Sequence, residues 1–139
     1  MFGSGLIKDD MKRRIVLTGL GVVTSLGRPV ETLWSRLLAG DSGVGPITLF
    51  DVSGYRVQFA GQVPWDGLAE GVAGVKELRR IDRFTQFAIA AAADAVRDSG
   101  IEFQKEDPYR CGVVVGSGIG GLAEFEAQHE RLIKKGIDK

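Results

Sequence analysis

Cysteine and histidine are almost missing from this sequence of 139 residues, which contains one of each, Cys111 and His129. A single cysteine excludes a disulfide bond within the chain and is typical of proteins from a reducing compartment. The scarcity of both residue types also excludes a metal site built from a cluster of Cys and His ligands. We therefore expect a cytoplasmic protein with no metal and no cofactor.

The chain also has no excess of charge of either sign and no long apolar run. Its 18 basic residues balance its 18 acidic residues, so the bulk charge predicts no attraction to nucleic acid or to a membrane surface. The apolar runs are far shorter than the roughly 20 residues that span a bilayer. Residues 1–10 lack the basic start and apolar stretch of a secretory signal and are expected to be an extension outside the fold.

What the sequence does contain is an alternation of short apolar strands and amphipathic helices. The predicted elements are, in chain order, strand 15–17, helix 30–38, strand 56–63, helix 75–99, strand 111–116 and helix 122–135. The first and third strands are apolar and should be buried, whereas the alternating second strand should be half-exposed. This order predicts an α/β layered domain. Buried strands need cover on both faces, so three helices are too few and the chain should be part of a larger unit.

The long helix should bury a face of mainly small side chains. Its predicted members are Ile81, Phe84, Ala88, Ala91 and Ala95. Alanines on a buried face allow another backbone element to approach closely, which places this end of the helix deep in the predicted core.

A glycine pattern, Gly116-x-Gly118-x-x-Gly121, follows a predicted strand and opens a predicted helix. That is the form of a dinucleotide-binding turn, which also requires an acidic residue at the end of the next strand. Asp138 lies in a polar tail instead. A glycine turn for tight packing is therefore favoured over cofactor binding.

The single cysteine and the single histidine are both interpreted as structural. Cys111 begins a strand of valines and lacks the helix N-terminus or cationic neighbour that stabilises a catalytic thiolate. We expect it to be buried and largely unmodified by thiol-directed inhibitors. His129 lies on the apolar stripe of the last helix, which predicts a partly buried, hydrogen-bonded side chain.

Four basic residues, Lys76, Arg79, Arg80 and Arg83, are spaced to lie on one face of the long helix. A solvated helix face is the ordinary interpretation of such a stripe. The functional interpretation is a docking patch for an acidic protein or a phosphate.

Three stretches in order resemble the elongating β-ketoacyl-acyl carrier protein synthases, above all the second bacterial type. They are Arg14–Thr24 (RIVLTGLGVVT), Arg79–Ala88 (RRIDRFTQFA) with its alanine-rich continuation, and Gly112–Leu122 (GVVVGSGIGGL). The resemblance covers residues 12–136 and is strengthened by Trp34 and the Leu-Ala-Gly-Asp-Ser-Gly segment that ends at Gly43.

The resemblance implies the N-terminal part of the first half of a thiolase-like fold, in a homodimer that receives substrates from acyl carrier protein. It implies a decarboxylative Claisen condensation in fatty-acid or polyketide synthesis, carried out by one cysteine and two histidines. Neither Cys111 nor His129 matches these residues, so residues 11–139 are expected to stop before the nucleophile. Ile119 matches an isoleucine that lines the acyl pocket near the dimer interface, and Lys76, Arg79 and Arg80 match positions that meet the carrier protein.

Two other hypotheses remain open at this point: a non-catalytic partner of the same fold that dimerises with a synthase or holds carrier protein, and a dinucleotide-binding domain. The chain by itself should have no condensing activity. It should also be poorly soluble, because the missing part of the unit would leave apolar faces bare.

Overall fold

A computed structural model describes residues 14–64 and 81–137 of the chain. In chain order the described elements are α1 (Val30–Leu38), β1 (Val44–Pro46), β2 (Phe59–Gly61), α2 (Arg83–Ser99), the 3-10 turns Phe103–Lys105 and Pro108–Arg110, and α3 (Leu122–Lys135). Helices occur where the apolar periodicity predicts them, which confirms the first and last of the three. The predicted start of the long helix, residues 75–80, lies outside the described residues.

Helix α1 begins directly after Pro29 and ends at Leu38. Glu31 in its first turn and Arg36 in its last turn have the charges that suit the helix dipole. The Arg36 guanidinium also donates to the Leu26 carbonyl at 2.8 Å and pairs with Asp41 at 2.9 Å. These bonds attach the end of α1 to the segment that precedes the helix and to the turn that follows it.

Strands β1 and β2 form an antiparallel pair with the register Val44↔Gly61, Gly45↔Ala60 and Pro46↔Phe59. The strand predicted over 56–63 is therefore confirmed only at its centre. Its partner, β1, was not predicted because glycine and proline are poor strand formers. The Gln62 side chain reinforces the pair, since its amide nitrogen donates to the Pro46 carbonyl at 3.0 Å and its oxygen accepts from the Thr48 amide at 3.0 Å.

The segment that contains Gly19 and Gly21 lies directly against the backbone of α2. A Cβ at Gly21 would stand 1.9 Å from the Ala91 carbonyl oxygen, and one at Gly19 would stand 2.2 Å from that of Ala95. The close backbone approach predicted from the alanine face is thus confirmed at Ala91 and Ala95. Glycine is required at both positions of the neighbouring segment because no side-chain atom fits there.

The prediction of which α2 residues are buried is wrong, because none of the three most buried residues belongs to the predicted face. The residues that the structure buries most are Gln86, Ala90 and Asp94, whereas Phe84 is exposed. The two polar residues can be buried because both have partners: Gln86 donates to the Ile81 carbonyl at 3.1 Å, and Asp94 accepts from arginines. A hydrophobic pattern alone gives no indication of such pairs.

The two strands predicted to be buried, 15–17 and 111–116, are not strands in the structure. Ile15 is 91% exposed and Val114 is 99% exposed. A strand of this kind is defined by hydrogen bonds to its neighbours and buried by layers on both faces. The described residues supply neither, so these apolar segments lie bare.

The predicted order of alternating strands and helices is corrected accordingly: helices and one small sheet are present, in keeping with a partial α/β fold. Among the described residues, the buried apolar side chains are those of Leu26 and Ala90. This small core supports the expectation that the chain is part of a larger unit.

Candidate functional site

The glycine-rich loop that precedes α3 presents the residue predicted to line an acyl pocket. Ile119 lies in this loop with 80% of its surface exposed. The Ser117 hydroxyl oxygen accepts a hydrogen bond from the Gly120 amide at 2.9 Å, and Gly120 has a φ of +85°, a left-handed conformation that favours glycine. The turn therefore projects an apolar side chain outward, where it can contact an alkyl chain.

The end of this loop meets the start of α2 through Asp82. The Asp82 carboxylate accepts a hydrogen bond from the Glu124 amide, in the first turn of α3, at 3.2 Å. A Cβ at Gly121 would stand 2.8 Å from the same carboxylate oxygen. A negative charge at a helix N-terminus is favourable. Here the Asp82 carboxylate takes the Glu124 amide, which a pyrophosphate bound at this helix start would need as a donor. The arrangement therefore disfavours the dinucleotide hypothesis.

The predicted tight packing of the glycine turn holds at one of its three glycines. Gly121 is closely approached by Asp82, whereas a Cβ at Gly116 or Gly118 would meet nothing within 4 Å. The described residues alone give no steric reason for glycine at these two positions.

Arg83, the last member of the predicted basic stripe, is drawn into the fold. Its guanidinium donates to the Val63 carbonyl at 2.6 Å and lies 5.3 Å from the centre of the Phe87 ring. This arginine therefore fastens the start of α2 to the chain that follows β2, which is a structural role. The other members, Lys76, Arg79 and Arg80, lie outside the described residues.

Cys111 and His129 are both exposed, which corrects the two predictions of burial. Cys111 belongs to the apolar segment that has no neighbouring strand, so nothing within the described residues covers the thiol. His129 stacks on Phe125, with ring centroids 6.1 Å apart and an angle of 4° between planes. The helical periodicity correctly placed these two rings together but could not supply a layer to bury them.

A carboxylate in the middle of α2 accepts hydrogen bonds from two arginines. Asp94 is 5% exposed and accepts from Arg28 Nε at 2.6 Å, from Arg28 Nη2 at 2.9 Å and from Arg97 Nη1 at 2.8 Å. The Arg28 hydrogen bond holds the pKa of the Asp94 carboxyl below its ordinary value of 3.8, against the opposing effect of desolvation. The pair fastens the loop before α1 to α2.

Sequence reasoning missed both Asp82 and Asp94 as organising residues. Asp82 has the local signature of a helix N-cap, but its partner is 42 positions away. Asp94 stands out as a charge within an alanine-rich stretch four residues after Ala90. Ala90 was not part of the predicted buried face, so its spacing to Asp94 gave no indication of burial; a charge within a run of alanines is the signal that the sequence offers.

Residues 14–64 and 81–137 contain no group of three or more His, Cys, Asp and Glu side chains arranged to hold a metal ion. Nor is any helix in this part of the chain long and apolar enough to cross a membrane.

Known proteins resemble this chain along nearly all of its length. The family model described as "Beta-ketoacyl synthase, N-terminal domain" matches residues 12–137. The 3-oxoacyl-[acyl-carrier-protein] synthase 2 of Vibrio cholerae is 44% identical over 128 residues, which are 92% of this chain and 31% of that protein. The chain therefore spans less than a third of the length of this relative.

Two solved structures share its fold. One, described as the ishigamide ketosynthase/chain length factor, has a TM-score of 0.74 and 34% identity over 87% of this chain and 30% of that chain. The other is described as a type II PKS acyl-carrier protein in complex with its ketosynthase, with a TM-score of 0.60 and 25% identity. This match covers 88% of the chain described here and 32% of the chain in the solved structure. Because the family model matches from residue 12 to residue 137, the chain belongs to the β-ketoacyl synthase family.

Proposed function

We propose that this chain forms the N-terminal part of a cytoplasmic, homodimeric 3-oxoacyl-[acyl-carrier-protein] synthase with a thiolase-like fold. The observation that carries the proposal is the match of the family model along residues 12–137. In the proposed reaction, a cysteine thiolate takes the acyl group from acyl carrier protein and releases the carrier thiol. Malonyl-acyl carrier protein then loses carbon dioxide, and its carbanion attacks the acyl thioester, which forms the carbon–carbon bond and frees the cysteine.

The chain would contribute binding surfaces to this reaction, and its chemistry would come from elsewhere. Ile119 is the proposed wall of the acyl pocket, and its exposure on an outward-pointing turn supports that role. The nucleophilic cysteine and the two histidines that polarise the malonyl thioester are proposed to lie in the part of the synthase that this sequence does not include. Cys111 and His129 are not proposed to replace them.

A fusion protein tests this proposal. We expect the 139-residue chain to show no condensation of acyl and malonyl carrier proteins. We expect activity when residues 12–137 replace the matched segment of the Vibrio cholerae synthase, because the rest of that protein would supply the nucleophile and cover the bare apolar segments. Product formation is measured by mass spectrometry of the carrier protein. Activity of the chain alone, or a soluble fusion without activity, would contradict the proposal.

Carrier-protein docking is proposed for Lys76, Arg79 and Arg80, whose positive charges would meet the acidic carrier protein. In the fusion, replacing all three with glutamate should raise KM for malonyl-acyl carrier protein about tenfold and change kcat little. The matched control replaces Lys105, Lys134 and Lys135 with glutamate, which makes the same change of charge elsewhere. The KM effect should shrink as salt is added, because salt screens exposed charges. Equal KM changes in the two triple variants would exclude a specific patch.

A non-catalytic partner of the same fold is the second candidate. It is favoured by the similarity to a solved ketosynthase/chain length factor. The coding sequence past Lys139 separates the two candidates. A downstream helix that starts with a cysteine, followed by two histidines, supports the synthase, whereas the same fold without that cysteine supports the partner.

A further inference from the structure

Asp82 occupies the N-cap position of one helix but caps another. It directly precedes α2, and its side chain makes no capping hydrogen bond to that helix. Its carboxylate instead accepts from the Glu124 amide of α3 at 3.2 Å. An aspartate before a helix ordinarily accepts from the second or third amide of its own helix. The departure from that pattern makes Asp82 a link between two helices.

The loop before α3 is shaped to receive this carboxylate. Gly121 is the N-cap residue of α3 and has no side chain with which to cap it. Its φ of −82° is open to any residue, so backbone conformation does not explain the glycine. The close approach of Asp82 does, because a Cβ at position 121 would stand 2.8 Å from Oδ2 and 3.3 Å from Cγ of Asp82. Aspartate and glycine therefore act as a pair.

The start of α2, directly after Asp82, is held by hydrogen bonds to neighbouring segments. The next residue, Arg83, donates to the Val63 carbonyl at 2.6 Å, and Gln86 donates to the Ile81 carbonyl at 3.1 Å. The loop on the other side of the link is open by comparison. A Cβ added at Gly116, Gly118 or Gly120 would have no neighbouring atom within 4 Å. The Asp82 bond thus connects a bonded helix start to an exposed loop.

We propose that Asp82 is a positioning residue that sets the location of Ile119, and with it the length of acyl chain that the site accepts. The inference rests on the proposed function, in which Ile119 lines the acyl pocket. Ile119 lies two residues before Gly121, so a shift of the capped end of the loop moves its side chain. Asp82 would not touch the substrate itself. It would affect the binding of the acyl thioester through the position of Ile119 in the pocket wall.

The first test measures hydrogen exchange in the complete 139-residue chain and does not depend on activity. Asp82→Ala should speed exchange of the Glu124 amide about fivefold, whereas Asp82→Asn should largely preserve protection because asparagine also caps helices. The matched control is Asp98→Ala, which removes a carboxylate on α2 that accepts from the Leu20 amide at 2.8 Å. It should speed exchange at Leu20 and leave Glu124 unchanged. Unchanged exchange at Glu124 in Asp82→Ala overturns the link.

The second test measures chain-length preference in the fusion, as the ratio of kcat/KM for tetradecanoyl and hexanoyl carrier proteins. Ile119→Ala should change this ratio about tenfold, since one or a few methylene groups in an apolar pocket have effects of that order. Asp82→Ala should change it about threefold in the same direction, Asp82→Asn should restore it, and Asp98→Ala should leave it unchanged.

The outcomes of the second test separate the two proposals. No effect of Ile119→Ala means that the acyl-pocket role is wrong, and the positioning role is then wrong with it. An effect of Ile119→Ala without one of Asp82→Ala, or equal effects of Asp82→Ala and Asp98→Ala, overturns the positioning role alone.

Discussion

Replacing Gly21 with alanine is expected to destabilise the fold more than any other single methyl group added to the described residues. The new Cβ would stand 1.9 Å from the Ala91 carbonyl oxygen and 2.8 Å from the Ala95 amide nitrogen. Both are backbone atoms of a hydrogen-bonded helix and have little freedom to move. Relief requires the 19–21 segment to separate from α2, so we expect a loss of about 3 kcal/mol or more in the free energy of unfolding.

Gly45→Ala is the matched control for this prediction. Gly45 lies in β1, and a Cβ there would meet nothing within 4 Å. Its φ is not in the left-handed region, so alanine should be neutral or stabilise by up to about 1 kcal/mol by restricting the unfolded chain. Urea denaturation of the fusion protein, followed by circular dichroism, measures both variants. Similar midpoints for Gly21→Ala and Gly45→Ala would show that the segment does not lie against α2.

Replacing Asp94 with asparagine should have the second largest effect, and one that depends on pH. Asparagine keeps the shape but leaves two arginines without their counter-charge, and we expect a loss of about 2–3 kcal/mol near neutral pH. The Asp94 pKa is lowered in the folded chain, chiefly by the Arg28 hydrogen bond. Its contribution to stability is therefore complete above the ordinary value of 3.8 and declines as the pH falls through the lower folded pKa.

The wild-type protein and Asp94→Asn should consequently become closer in stability as the pH falls below the ordinary carboxyl value of 3.8 and through the lower folded pKa of Asp94. The control is Asp41→Asn, which removes an exposed ion pair with Arg36 at 2.9 Å and should cost less than about 1 kcal/mol. Urea denaturation of the fusion protein, with and without each substitution, at a series of pH values tests the prediction. A difference between wild type and Asp94→Asn that stays constant down to strongly acidic pH would show that the carboxylate is not the stabilising group.

The accuracy of the sequence predictions follows from how local each structural signal is. Helices α1 and α3 were predicted from the spacing of their apolar residues, and their charged end residues agree with that assignment. The alanines of α2 predicted a close backbone contact, which Gly19 and Gly21 make. Each of these features depends on side chains one or two helical turns apart, or on the size of a residue.

The failures concern features that need a distant partner. Ile15–Leu17 and Cys111–Gly116 have the composition of buried strands, but a strand also needs neighbours, and the described residues provide none. The exposure of Cys111 has the same cause. These segments are expected to become strands when the rest of a synthase supplies the adjacent backbone, which the fusion experiment tests.

The candidate site likewise contains residues that the sequence identified and contacts that only the structure shows. Ile119 was identified by resemblance, whereas Lys76, Arg79 and Arg80 were identified first by their helical spacing and then by resemblance. The roles of all four stay predictions. The link from Asp82 to α3 could not be predicted, because nothing in the residues around position 82 indicates that its carboxylate bonds to the Glu124 amide rather than to its own helix. The same holds for Arg28 and Asp94, which are 66 positions apart.

The sequence by itself determined the first and last helices, the alanine face at which another backbone element comes close, and the resemblance to the family to which the chain belongs. These follow from the periodicity, residue size and residue order that the sequence displays directly. Only the tertiary structure decided which carboxylates hold the helices together, which apolar segments lie bare and where Ile119 projects. Those outcomes depend on which distant groups come within hydrogen-bonding distance, and a linear pattern does not contain that information.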